Sequence, residues 1–183
     1  MLLILTYAAN AAAQGPPARG WVYEIGGGAF HEAWNYNLSD EDLAGVSAGM
    51  LYRLGAHWSV GAELIALGVQ QDSVPAVAVG GGNWLIRWQH HAAGRWDYFG
   101  EVGGGASEAT GIVPARGTSF NWIAQSGGGG IVAVGTNAYL RLGLTWLHLS
   151  NAGLAGPNHN PDIQSIGLRV GIVIPVRAAK RSG

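Results

Sequence analysis

Between Tyr139 and Trp146 the chain alternates with a period of two. Leu140, Leu142, Leu144 and Trp146 fall on one side, and Tyr139, Arg141, Gly143 and Thr145 on the other. Successive side chains of a strand point to opposite faces, so this segment is predicted to be a strand with one apolar face and one that carries a charge. Ile163–Val176 repeats the pattern, with Arg169 opposite Ile166, Leu168, Val170, Ile172 and Ile174. Alternation alone does not say whether the apolar face meets a protein core or lipid; composition does. Charged residues make up 11% of the 183, against roughly 25% in an ordinary soluble protein, which leaves too little charge to cover a water-facing surface. No apolar stretch approaches the roughly 20 residues of a membrane-spanning helix. Only helices and closed barrels satisfy their backbone in lipid, so a membrane protein made from this chain must be a barrel.

The expected fold is therefore all-β: an eight-stranded antiparallel transmembrane β-barrel. Period-two segments bounded by turn residues place strands over Trp21–Phe30, Leu43–Leu54, Trp58–Gly68, Ala76–Gln89, Trp96–Ser107, Ser119–Val134, Ala138–Ser150 and Ile163–Val176. Each can cross a bilayer, since about 9–11 tilted residues suffice. Connections 31–42, 69–75, 108–118 and 151–162 are expected to be mostly long and extracellular. Those at 55–57, 90–95 and 135–137 are expected to be short and periplasmic, as an outer-membrane barrel requires. Parity sends Glu24, Arg53, Glu63, Arg87 and Glu101 inward to join Arg141 and Arg169, where charge pairing offsets burial and plugs the interior. A solute channel is disfavoured, and so is a soluble lipocalin-like carrier, which needs the opposite polarity.

The remaining features narrow the partners. Met1–Ala13 is a short apolar run ending in small residues, as in a secretory signal peptide with cleavage after Ala13, which leaves a barrel over 14–183. A net charge of −1 and the lack of a Lys/Arg cluster in the body of the chain exclude nucleic acid as a partner. With no cysteine, thiolate metal sites and disulfides are ruled out. The Gly clusters at 26–28, 80–82, 103–105 and 127–130 lie inside strands, without the spacing or helix of a phosphate loop, and are expected to serve bending and close approach. The eight tryptophans are expected to form an interfacial girdle. The tail after Val176 lacks the terminal aromatic usual in such barrels.

One segment carries chemistry. His148 and Ser150 are two apart on a strand, hence on one face with Cα atoms roughly 7 Å apart. Serine needs an adjacent base to act as a nucleophile, and H-x-S on a strand can supply one. By parity both side chains lie on the lipid-facing wall near its extracellular end. The plain alternative is that two polar groups merely end the strand at the headgroup level.

The longer run His148-x-Ser150-Asn151-Ala152-Gly153, followed by Pro157-Asn158, resembles the signature of the PagL lipid A 3-O-deacylases. Weaker similarity covers Phe99–Gly103, Phe120–Trp122 and Ile163–Pro175. The resemblance implies a Ser-His-acid hydrolase that removes the ester-linked 3-position acyl chain of lipid A in the outer leaflet of a Gram-negative outer membrane. Lipopolysaccharide is then the substrate and membrane lipid the surroundings. It implies Ser150 as nucleophile, His148 as general base, and Asn158, Asn151 and Gly153 as support for the site or its oxyanion hole. It calls for no cofactor, and the six histidines show no H-E-x-x-H or H-x-x-E-H metal spacing. The chain departs from the family at the third member: a Glu is expected at the start of strand 8, where Gln164 stands. Asp162, of the same parity, is the acid nearby, so the orienting residue is Asp162, Gln164 or neither. If neither serves, the chain is a weak or inactive barrel with a structural or adhesive role. Oligomeric state stays open, a homodimer being compatible.

Overall fold

The computed structural model describes residues 19–34, 40–156 and 160–176. The expected signal segment, Asn158 and the C-terminal tail lie outside the described residues. Eight strands form one closed antiparallel barrel in sequential order: β1 Gly20–Glu32, β2 Glu41–Arg53, β3 Trp58–Gln71, β4 Val77–Ala93, β5 Trp96–Val113, β6 Thr118–Ala133, β7 Tyr139–Ser150 and β8 Ile163–Pro175. β1 closes against β8, with Gly26 opposite Gly171 and Glu32 opposite Ser165.

Strand identities agree with the period-two reading, but two connections do not. The connection expected over 90–95 shrinks to a turn at Gly94 and Arg95, with Gly94 in the left-handed region (φ 62°). The long extracellular loop expected over 108–118 is mostly strand. β5 continues to Val113, which is fully buried, and re-pairs with Thr118 of β6 after a register shift beyond Glu108. Val113 belongs to the apolar cluster inside the barrel, so burial of the strand's end outweighs the turn residues Gly111, Pro114 and Gly117 around it.

Side-chain parity places apolar groups outside, including Leu142, Leu144, Leu168 and Val170, all around half exposed or more. Inside, Arg87 and Arg141 each pair with both Glu24 and Glu101. The N···O distances are 2.8 Å for Arg87–Glu24, 2.7 Å for Arg87–Glu101, and 2.6 Å for Arg141 with either carboxylate. Phe99 packs against both guanidinium groups. Arg169 pairs with Glu63 and donates to Ser47 at 2.7 Å. Arg53 donates to Gln89 at 2.9 Å. The interior is less polar than the charges suggest. The half toward the 151–162 connection is filled by Phe30, Leu43, Leu67, Val69, Ile123, Leu147, Leu149 and Ile163 among others. This apolar packing holds the upper ends of β7 and β8, and with them the polar pair on the opposite face of β7.

Seven tryptophans sit toward the two rims: Trp21, Trp58, Trp88 and Trp96 at the short-turn end, and Trp34, Trp122 and Trp146 at the other. Trp84 departs from the expected girdle. It lies mid-wall with its ring over Gly104, filling the hollow that a missing side chain leaves. Gly105 and Gly129 justify the close-approach reading, because a Cβ there would collide with the carbonyl oxygens of Gly82 and Leu142 on the neighbouring strands.

Candidate active site

β7 ends with Leu147 and Leu149 pointing into the apolar interior, 3% and 0% exposed, which by strand parity turns His148 and Ser150 to the outer face, where Ser150 is itself covered to 7% exposure. Register then selects their neighbours. His148 faces Gln164 on β8 and Ala124 on β6, while Ser150 faces Trp122. Ser165 fastens the two strands further by donating to the carbonyl of Leu147 at 3.1 Å.

Around His148 three groups form a chain. The imidazole lies against the indole of Trp146, with ring centroids 5.7 Å apart and planes at 14°. Asp162 Oδ2 stands 3.6 Å from His148 Nδ1, within ion-pair range and just beyond hydrogen-bond length. That carboxylate is held by Gln164, whose amide Nε2 donates to Asp162 Oδ2 at 2.7 Å. Gln164 Oε1 in turn accepts the indole N–H of Trp146 at 3.2 Å. Both His148 and Asp162 keep roughly a quarter of their side chains exposed, so the pair is open to a ligand arriving along the wall.

Around Ser150 a second set of contacts forms. Its hydroxyl donates to Asn160 Oδ1 at 3.0 Å and accepts the backbone N–H of Ala152 at 3.1 Å. Ala152 (φ 54°) and Gly153 (φ 76°) are consecutive left-handed residues, which reverse the chain immediately after the serine. Gly suits that conformation, whereas Ala adopts it at a cost of roughly 1–2 kcal/mol. Asn151 maintains the reversal: fully buried, it accepts the Gly153 N–H at 2.9 Å and donates to Thr118 Oγ1 at 3.2 Å.

The fold thus brings His148, Asp162 and Gln164 together, and separately Ser150, Asn151 and Gly153. Among the described residues no hydrogen bond joins Ser150 to His148. Asn158 lies outside the described residues. Asn160 was absent from the sequence reading, and so was the Trp146–Gln164–Asp162 chain. An Asn-Pro step at 160–161 signals a turn, but nothing in it tells which side chain it will meet. No group of three or more His, Cys, Asp or Glu able to hold a metal ion occurs among the described residues.

No family model and no curated protein sequence matches the chain. Similarity is found among solved structures. The Neisserial surface protein A superposes with a TM-score of 0.63 at 12% identity, covering 89% of this chain and 100% of its own. The outer membrane enzyme PagL gives 0.55 at 20% identity, covering 85% and 99%. The outer membrane protein OprG from Pseudomonas aeruginosa gives 0.56 at 10% identity, covering 89% and 99%. At these identities the likeness establishes the fold: an eight-stranded barrel of the outer-membrane type. It does not choose among functions, since one barrel serves many.

Proposed function

We propose that this chain is a lipid A 3-O-deacylase of the outer leaflet of the Gram-negative outer membrane, with Ser150 as nucleophile, His148 as general base and Asp162 as the acid that orients it. The observation that carries the reading is the Asp162 carboxylate, anchored by Gln164 and set 3.6 Å from His148 Nδ1 on the lipid-facing wall. A proton on Nδ1 directed at that carboxylate leaves Nε2 as the basic nitrogen, the tautomer that can deprotonate a serine.

In this reaction Ser150 Oγ attacks the carbonyl carbon of the 3-position ester and its proton passes to His148 Nε2. Collapse of the tetrahedral adduct breaks the bond to the sugar oxygen, which takes the proton from His148. Water, deprotonated by His148, then cleaves the acyl-serine and releases the fatty acid. Asp162 stabilises the imidazolium formed in each half. The Ala152 N–H, a fixed dipole already directed at the serine oxygen, is placed to act on negative charge developing beside it. A lipid substrate needs no pore to reach this site. Beneath His148 the outer wall of β6 presents Ala124, Ser126 and Gly128 between Val102 and Leu144, a shallow strip on which an acyl chain can lie.

A second reading, a barrel without turnover, is favoured by one observation: the serine proton is given to Asn160 and not to His148. Incubating the refolded barrel with lipid A and following loss of the 3-linked acyl chain by mass spectrometry separates the two. Release that disappears in Ser150→Ala supports the enzyme; the same spectrum with and without Ser150 supports the inert barrel.

A further inference from the structure

Ser150 has one hydroxyl proton, and the arrangement around it determines where that proton goes. Asn160 Oδ1, an acceptor with no proton to give, takes it at 3.0 Å. On its other side the serine oxygen accepts the Ala152 N–H at 3.1 Å, so donor and acceptor functions of the hydroxyl are both engaged away from His148. The imidazole meanwhile has a separate set of neighbours: the face of Trp146 and, 3.6 Å from Nδ1, the carboxylate of Asp162. The two sets share one short piece of chain. Asn160 and Asp162 flank Pro161, whose ring fixes φ and stiffens the step between them. The segment that brings the acid to the histidine therefore also brings a competing acceptor to the serine.

We propose that Asn160 is a positioning residue that holds Ser150 in a resting orientation, so that attack requires the hydroxyl to exchange Asn160 Oδ1 for His148 Nε2. This rests on the hydrolase reading above. The hold is a single neutral hydrogen bond, and releasing one raises the rate of attack by about five- to tenfold. A carboxylate in the same place accepts more strongly and lowers the rate by a comparable factor. Opposite signs from two substitutions of similar size separate a proton-holding role from a structural one, which would make both variants slower or leave both unchanged.

The test uses the full-length refolded barrel in detergent and an alkyl fluorophosphonate. In its reaction the serine oxygen bonds to phosphorus, fluoride leaves and the hydroxyl proton is taken up by the base. Initial rates of labelling at Ser150, located by peptide mass spectrometry, are compared for wild type, Asn160→Leu and Asn160→Asp, each alone and with His148→Ala, after each has shown the heat-modifiable mobility of a folded barrel. Expected are faster labelling in Asn160→Leu, slower labelling in Asn160→Asp, and loss of the gain when His148 is removed. His148-dependent labelling of wild type with both Asn160 variants unchanged, or both slower, overturns the role of Asn160 and leaves the hydrolase reading standing. Absence of labelling at Ser150 in every variant overturns both.

Discussion

Gln164 is the cross-strand partner of His148, yet its amide nitrogen is spent on Asp162, 2.7 Å away, and not on the imidazole. The residue standing where the resemblance led one to expect an acid therefore serves the acid two positions earlier. Because β-strand parity puts residues 162 and 164 on the same face, a carboxylate at 162 and an amide at 164 can divide the task.

This division predicts an order of effects. Asp162→Asn removes the charge that stabilises the imidazolium and should lower deacylation on the order of 10⁴-fold, by analogy with serine protease triads. Gln164→Ala removes only the anchor of that charge and should cost about tenfold, one to two hydrogen bonds' worth. Initial rates on lipid A, read by mass spectrometry, check the order; a Gln164→Ala defect as large as that of Asp162→Asn would return the orienting role to Gln164.

The same geometry sets the sign of Gln164→Glu. A second carboxylate beside Asp162 replaces a 2.7 Å hydrogen bond with like-charge repulsion. Activity should fall, whereas a glutamate that itself oriented His148 would raise it. A single rate comparison with wild type decides between them.

Folding and catalysis should separate at the nucleophile and base. Ser150→Ala and His148→Ala are expected to abolish deacylation while the heat-dependent gel shift of the barrel persists, because neither side chain belongs to the apolar packing of Leu147 and Leu149. Wild-type turnover in either variant would rule out its assigned role.

The interior charges predict a stability effect remote from the site. Glu101 bridges Arg87 and Arg141 at 2.7 and 2.6 Å and is 5% exposed. Glu101→Ala leaves two buried guanidinium groups with one carboxylate and should destabilise the barrel by about 3–5 kcal/mol. Urea unfolding in lipid vesicles measures it; a change below about 0.5 kcal/mol would mean that the interior is wet enough to solvate the unpaired charge.

Close strand approach supplies a matched pair. Gly105→Ala drives a Cβ into the carbonyl oxygen of Gly82, whereas a Cβ at Gly80 meets nothing within 4 Å. The first should impair refolding severely, and the second should leave stability within about 0.5 kcal/mol of wild type. Fractions folded on a semi-native gel distinguish them.

Barrel, strand number and the inward facing of Glu24, Arg53, Glu63, Arg87, Glu101, Arg141 and Arg169 were legible because each depends on a period of two, whereas Glu32, Glu41 and Asp97, also buried, were not read from it. Arg141 and Leu142 need no tertiary information to be assigned to opposite walls. The extension of β5 to Val113 was not legible. Gly111, Pro114 and Gly117 read as a loop, and what keeps the strand going is the burial of Val113 against residues far away in sequence.

For the site, the alternation along β7 was enough to put His148 and Ser150 on one outward face at the strand's upper end. It could not decide which group meets the imidazole or where the serine proton goes. Those contacts depend on how residues 151–156 leave β7 and how 160–162 rejoin β8, which no period encodes: the left-handed pair Ala152–Gly153, the anchoring of Asn151 to Thr118 and the re-entry of the chain at Ile163 set them. Only where the chain returns beside β7 do Asp162 reach His148 and Asn160 reach Ser150, because a contact across the β7–β8 hairpin is fixed by where the second strand re-enters and not by the residues that make it.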